Sequence, residues 1–134
     1  LSRTSTYIVI IFIGFGGAIG SIARYGVAQL FPNNSLPFGT ILVNILGCFL
    51  LAFLSNHTLI KKKLPKYMIL AIHTGVIGSF TTFSTFTVES LVLLTDHLLI
   101  GVAYMFGSII FGLIACFIGY LLASRMDSSK ETVE

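Results

Sequence analysis

An all-α integral membrane protein with four membrane-spanning helices is the fold class this sequence predicts, on three observations. First, 55% of the 134 residues are hydrophobic and only 10% are charged, where a soluble domain carries about 25% charged residues. A chain this short cannot enclose so much apolar surface in one core, so the excess faces lipid. Second, the apolar residues gather into four runs, each near the ~20 residues a helix needs to cross the hydrocarbon core. Third, the cations lie at the edges of those runs, where membrane proteins hold them. The net charge of +3 is therefore read as flanking the membrane, not as a nucleic-acid surface. Residues 1–123 make one four-helix unit, with no room for a second domain.

The first helix is expected over about 7–30, because no charge interrupts Thr4 to Ala23. That run is too long for a signal-peptide core and lacks a clear cleavage site, so it reads as a retained span. Gly16 and Gly20 form a G-x-x-x-G pair suited to close helix approach. The stretch from Phe31 to Pro37, rich in proline and asparagine, is a turn. The second helix covers about 38–60 and ends in a basic loop holding Lys61, Lys62, Lys63 and Lys66. The third runs over about 67–94, with Thr95-Asp96-His97 as the next turn, and the fourth over about 98–123. Residues 124–134 form a polar tail that is expected to be irregular. Cys48 and Cys116 sit inside apolar runs and behave as small apolar residues.

Four spans place both termini on one side. Seven of the eight lysines and arginines lie on that side, with Arg24 alone on the other. Positive charge stays in the cytoplasm, so both termini are expected there, in a multi-pass protein of the cell membrane.

The third span differs from the rest. Between His73 and Thr87 it gathers Gly75, Gly78 and a run of hydroxyls: Ser79, Thr81, Thr82, Ser84, Thr85 and Thr87. Glycine weakens a helix and β-branched threonine adds strain. Two half-helices joined near Gly78–Thr81, at mid-membrane, are expected. Such breaks persist in lipid only where they are buried or line an aqueous path, and they present bare carbonyls and helix ends to ions.

Missing chemistry narrows the function. No Ser/His/Asp set, phosphate-cradling loop or metal-ligand cluster is visible, so an enzyme is not expected. Glu89 is the only acid inside a span and makes, with His73, a thin proton relay. What remains is a set of neutral donors: Thr40 and Asn44 one turn apart, the hydroxyls of the third span, and Tyr104 with Ser108 at i, i+4. Donors without compensating charge suit a small anion that must shed water and not be trapped. Phe83 and Phe86 could add the positive edges of their rings. Each residue also has a plainer reading. Hydroxyls in helices usually bond their own i−4 carbonyl, Asn44 could join helices, and Tyr104 with Ser108 could form a polar seam. His73 reads as packed or interfacial. Glu89 stays open between a structural partner and a group at a pore mouth.

Three motifs in order carry a resemblance to a known family. Gly16-Gly-Ala-Ile-Gly20-Ser-Ile-Ala-Arg24-Tyr25 resembles G-G-x-x-G-x-x-x-R-Y, and Gly39-Thr40-Ile-Leu-Val-Asn44-Ile-Leu-Gly47 resembles G-T-x-x-x-N-x-x-G. Gly78-Ser-Phe-Thr81-Thr82-Phe83-Ser84-Thr85-Phe86 resembles G-x-x-T-T-F-S-T-F. Together, over about residues 14–123, they are similar to the Fluc (CrcB) fluoride channels.

The resemblance implies passive export of cytoplasmic fluoride through an antiparallel dimer with two pores. Phe83 and Phe86 would then be the fluoride-coordinating aromatic pair, Asn44 the pore amide, and Ser84 and Thr85 nearby hydroxyls. Tyr104 and Ser108 would begin a polar track on the fourth helix, with Thr40 also on the path; Gly112 stands where a third hydroxyl would follow. Gly78 and Thr81 would lend backbone carbonyls to a structural sodium ion at the dimer centre. The lopsided charge count argues for one fixed orientation, and so for a heteromer with an oppositely inserted related subunit over a homodimer. Two other readings compete: a proton-coupled small multidrug exporter, which wants an acid in the first span, and a non-conducting accessory subunit, which needs only packing motifs.

Overall fold

The computed structural model describes residues 3–31 and 36–131, and among them all regular structure is helical. Helix α1 spans Arg3–Gln29, α2 Phe38–Asn56, α3 Thr58–Lys63 and α4 Lys66–Leu70. A π-helical segment, Ala71–Ile77, follows, then α5 (Gly78–Phe80), α6 (Ser84–Asp96) and α7 (Leu98–Glu131). Four stretches are long and apolar enough to cross a membrane: Thr6–Gln29, Phe38–Asn56, Lys66–Asp96 and Leu98–Ser128. This is a multi-pass membrane protein.

The four spans agree with the expected ones in number and order, and their ends differ for identifiable reasons. The second span stops at Asn56 because His57 turns extended (φ −72°, ψ 112°), and α3 starts afresh beyond it. Asp127 on α7 drives that restart: its Oδ2 accepts the Thr58 N–H at 2.8 Å and the Thr58 hydroxyl as well, the bonds that cap a helix start. The polar stretch from Ser124 is helical through Glu131, where an irregular tail was expected. The turn expected at Phe31–Pro37 falls largely outside the described residues.

Packing follows membrane rules. Large apolar side chains such as Phe15, Ile22 and Leu99 point outward and stay exposed, while the buried positions hold mostly small residues, Ala52, Ala71, Ala115 and Ala123 among them. With lipid as apolar as leucine, close backbone approach is what holds helices together. Gly16 and Gly20 show it on α1. A Cβ on Gly16 would lie 2.7 Å from the Ala71 carbonyl oxygen, and one on Gly20 would lie 2.2 Å from that of Val76. The G-x-x-x-G pair therefore seats α1 against the π-helical segment. Helix α7 packs along α2 and α6.

Candidate functional site

Where the third span leaves the helix, at residues 81–83, side chains from other helices meet its backbone. Gly78 keeps helical angles (φ −62°, ψ −31°), and Thr81 is the first extended residue (φ −77°, ψ 162°). The irregular stretch, residues 81–83, meets the expected Gly78–Thr81 at Thr81 and lies C-terminal to the rest of it. Arg24 on α1 donates from Nε to the Ser79 carbonyl at 3.0 Å. Asn44 on α2 donates from Nδ2 to the Thr82 carbonyl at 3.0 Å, and its Oδ1 accepts the Thr82 N–H at 2.9 Å. Thr82 is buried, so either group left unmatched would cost about 1–3 kcal/mol.

The start of α6 is capped from within the step. Thr82 Oγ1 accepts the Thr85 N–H at 3.2 Å and donates to Thr85 Oγ1 at 2.9 Å. Thr82 stands one residue before Phe83, which leads into α6. Its hydroxyl takes the N–H of the second helical residue, one of the amides a helix start leaves without an internal partner. It orients the positive end of the α6 dipole toward Phe83 and Ser84, which are both exposed. The rings of Phe83 and Phe86 lie 6.3 Å apart between centroids. Other hydroxyls take the plainer role: Thr81 bonds the Ile77 carbonyl (3.0 Å), Thr87 that of Phe83 (2.9 Å) and Ser90 that of Phe86 (2.6 Å).

Glu89, which the sequence left undecided, joins two of the expected path residues. Thr40 donates to its Oε1 and Tyr104 to its Oε2, each at 2.9 Å. Both donors are buried, Thr40 at 8% and Tyr104 at 5% exposure. One carboxylate on α6 therefore ties α2 to α7. The two hydroxyls that the sequence offered as unengaged donors point their hydrogens at an acid.

The candidate residues do not share one cavity. Asn44, Gly78, Thr81, Thr82, Phe83 and Phe86 line a cleft of about 300 Å³, which His73 also borders. Tyr104 and Ser108 line a second, larger and mostly apolar cleft of about 680 Å³ with Ile41, Leu99 and Phe111. Phe86, which lines the first, and Tyr104, which lines the second, have ring centroids 5.3 Å apart. Ser108 Oγ is buried there and has no hydrogen-bond partner among the described residues. Gly112 does not extend the Tyr104–Ser108 track; a Cβ there would touch Cys48 Sγ at 3.4 Å.

Sequence reasoning missed the Thr82 hydroxyl at the start of α6 and Arg24 as a carbonyl partner, and it left Glu89 open between a structural partner and a pore-mouth group. Thr82 carried a signal, standing three residues before Thr85 at a helix start. The other two bonds span 55 residues for Arg24 and 49 for Thr40–Glu89, a separation no local pattern encodes.

Four apolar spans and an irregular stretch in the third, held by Arg24 and Asn44 beside a cleft, define a helical multi-pass membrane protein. The chain belongs to the CrcB family: residues 11–120 match the family described as CrcB-like protein, Camphor Resistance (CrcB). It is similar to the fluoride-specific ion channel FluC of Thermotoga maritima, 43% identical over 114 residues that cover 82% of this chain and 90% of the relative. The channel of that name from Thermosipho melanesiensis is 39% identical over 84% of this chain and 93% of its own length. Fluoride-specific ion channel FluC 1 of Bacillus cereus is 40% identical over 86% of this chain and 87% of its own length.

Proposed function

We infer that this chain is a fluoride channel subunit that passes fluoride passively across the cell membrane and so relieves its toxicity. The observation that carries the reading is the capped start of α6, where Asn44 and Thr82 hold the backbone open beside Phe83 and Phe86. Fluoride is small and strongly hydrated, so a path for it must replace water's donors without a cation that would trap it. The amides at the α6 N-terminus, the edges of the two phenyl rings and the Ser84 and Thr85 hydroxyls supply partial positive charge. Asn44 Nδ2 carries a second hydrogen beyond the one given to Thr82, and it borders the same cleft. The Glu89 carboxylate lies further along α6 and repels an anion, which keeps the ion from settling there.

We place the irregular step at mid-membrane. Its carbonyls suit a hard cation held by neutral oxygens. The Thr82 N–H, which would close the next turn onto the Gly78 carbonyl, donates to Asn44 instead. The Gly78 carbonyl accepts a long bond of 3.4 Å from the Thr81 hydroxyl. Gly78 and Thr81 would hold a structural sodium ion there, and its charge would satisfy carbonyls the helix leaves unmatched. Gly78 is exposed on this chain, so a second subunit would complete the set, inserted antiparallel and surrounded by lipid. The charge count keeps both termini in the cytoplasm and favours a related, oppositely oriented partner over a second copy.

Fluoride efflux from liposomes holding this protein alone, with chloride as control, tests the reading. Fluoride-selective efflux is expected if the chain suffices as a homodimer. Silence from folded protein that is broken by co-reconstituting an oppositely oriented relative supports the heteromer. Silence with both subunits present overturns the channel reading.

A further inference from the structure

The basic turn between the second and third spans is built more firmly than a loop that serves only as a connection. It runs through α3 (Thr58–Lys63) and the start of α4 (Lys66–Leu70) and carries Lys61, Lys62, Lys63 and Lys66, all exposed. Asp127 on α7 holds it from below: Oδ2 takes the Thr58 N–H and hydroxyl, and Oδ1 lies 3.4 Å from Nδ1 of the buried His57. One oxygen of Asp127 is thus committed to Thr58, and the other stands beside His57.

Helix length sets the depth of this platform. Helix α7 has 34 residues, about 51 Å at 1.5 Å per residue, against a hydrocarbon core of about 30 Å. Its last buried apolar residue among those described is Ala123, and Asp127 follows one turn later, about 6 Å further along the axis. Exposed tyrosines mark the same boundary: Tyr67 directly after Lys66, and Tyr120 one turn before Ser124. Tyrosine favours the headgroup layer. The lysines of α3 therefore lie beside the end of the membrane-spanning part of α7, where Arg125 is also exposed.

We propose that this pinned turn is a binding surface for anionic phospholipid headgroups, with Lys61, Lys62 and Lys63 as the phosphate contacts. A mobile lysine loop would lose conformational freedom on binding lipid; α3 is already held by its cap. Basic residues next to a span attract anionic leaflets in this way. The proposal is independent of which ion the protein conducts.

Native mass spectrometry of the full chain, released from mixed phosphatidylglycerol and phosphatidylcholine micelles, tests it. Wild type is expected to retain phosphatidylglycerol over phosphatidylcholine. The K61Q/K62Q/K63Q variant is expected to lose that preference by at least about fivefold, while K61R/K62R/K63R keeps it. Equal retention by wild type and the glutamine variant overturns the proposal, as does loss in the arginine variant. Added inorganic phosphate is expected to leave the lipid in place; if it strips phosphatidylglycerol, the surface is a site for the free ion and the lipid assignment fails.

Discussion

Asn44 and Thr82, 38 residues apart in sequence, exchange two hydrogen bonds between α2 and the irregular stretch that precedes α6, at 3.0 and 2.9 Å. A single amide thereby replaces both helical partners that Thr82 lacks where the third span turns extended. The same amide borders the cleft that Phe83 and Phe86 line. Joining helices and lining a path, two readings that began as alternatives for this residue, are compatible.

Removing that amide should damage fold and flux together. Asn44→Ala leaves the Thr82 N–H and carbonyl unmatched, at about 1–3 kcal/mol for each buried group. We expect a lower unfolding temperature in detergent and at least a tenfold loss of fluoride efflux, roughly the factor that 1.4 kcal/mol represents. Asn44→Asp keeps the acceptor for the N–H but sets a carboxylate against the Thr82 carbonyl, and should be no better than alanine.

The cap on α6 predicts a smaller and separable effect. Thr82→Val keeps the shape and loses the hydroxyl that accepts the Thr85 N–H, which should cost about 1 kcal/mol. Thr82→Ser keeps the hydroxyl and should hold stability near wild type. Equal melting temperatures for the two variants would show that the hydroxyl does not cap α6.

Phe83 offers the opposite test. Its side chain is 81% exposed on the single chain, and exposed substitutions usually shift stability within about ±0.5 kcal/mol. Phe83→Ala should therefore leave the folding of the chain intact and reduce fluoride efflux. A variant that melts early at unchanged transport would assign the ring to packing instead.

Thr40 and Tyr104 share the Glu89 carboxylate, so their substitutions should not add. Thr40→Val and Tyr104→Phe each remove one hydroxyl donor, with an expected loss of about 1.5–3 kcal/mol for a bond to a charged group. The double-mutant cycle should show coupling above about 0.5 kcal/mol. Repeating the cycle in a Glu89→Ala background should erase that coupling, because the shared acceptor is gone.

Close approach of α1 to the third span sets a steric prediction. Gly20→Leu places side-chain atoms where the Val76 backbone stands, its first carbon 2.2 Å from that oxygen. Backbone cannot yield as a flexible side chain can, so folded yield should fall sharply. Gly14 has nothing within 4 Å of its added carbon, and Gly14→Ala should be tolerated in the same assay.

Much of the architecture was legible from residue order alone. Four spans follow from apolar runs of membrane length, since lipid forces each run to satisfy its backbone as a helix. The unusual third span was visible in its glycines and hydroxyls, and the packing role of Gly16 and Gly20 in their spacing. These are properties of one segment and one solvent. What only the tertiary structure decided are pairings between segments. Arg24 finds Ser79, Asn44 takes both backbone groups of Thr82, and Asp127 restarts the chain at Thr58. Glu89 gathers Thr40 and Tyr104 in the same way. The physical reason is that a buried polar group must be matched, but its partner is chosen by which helix faces lie together. Helical period places a residue on a face of its own helix; it says nothing of the face opposite.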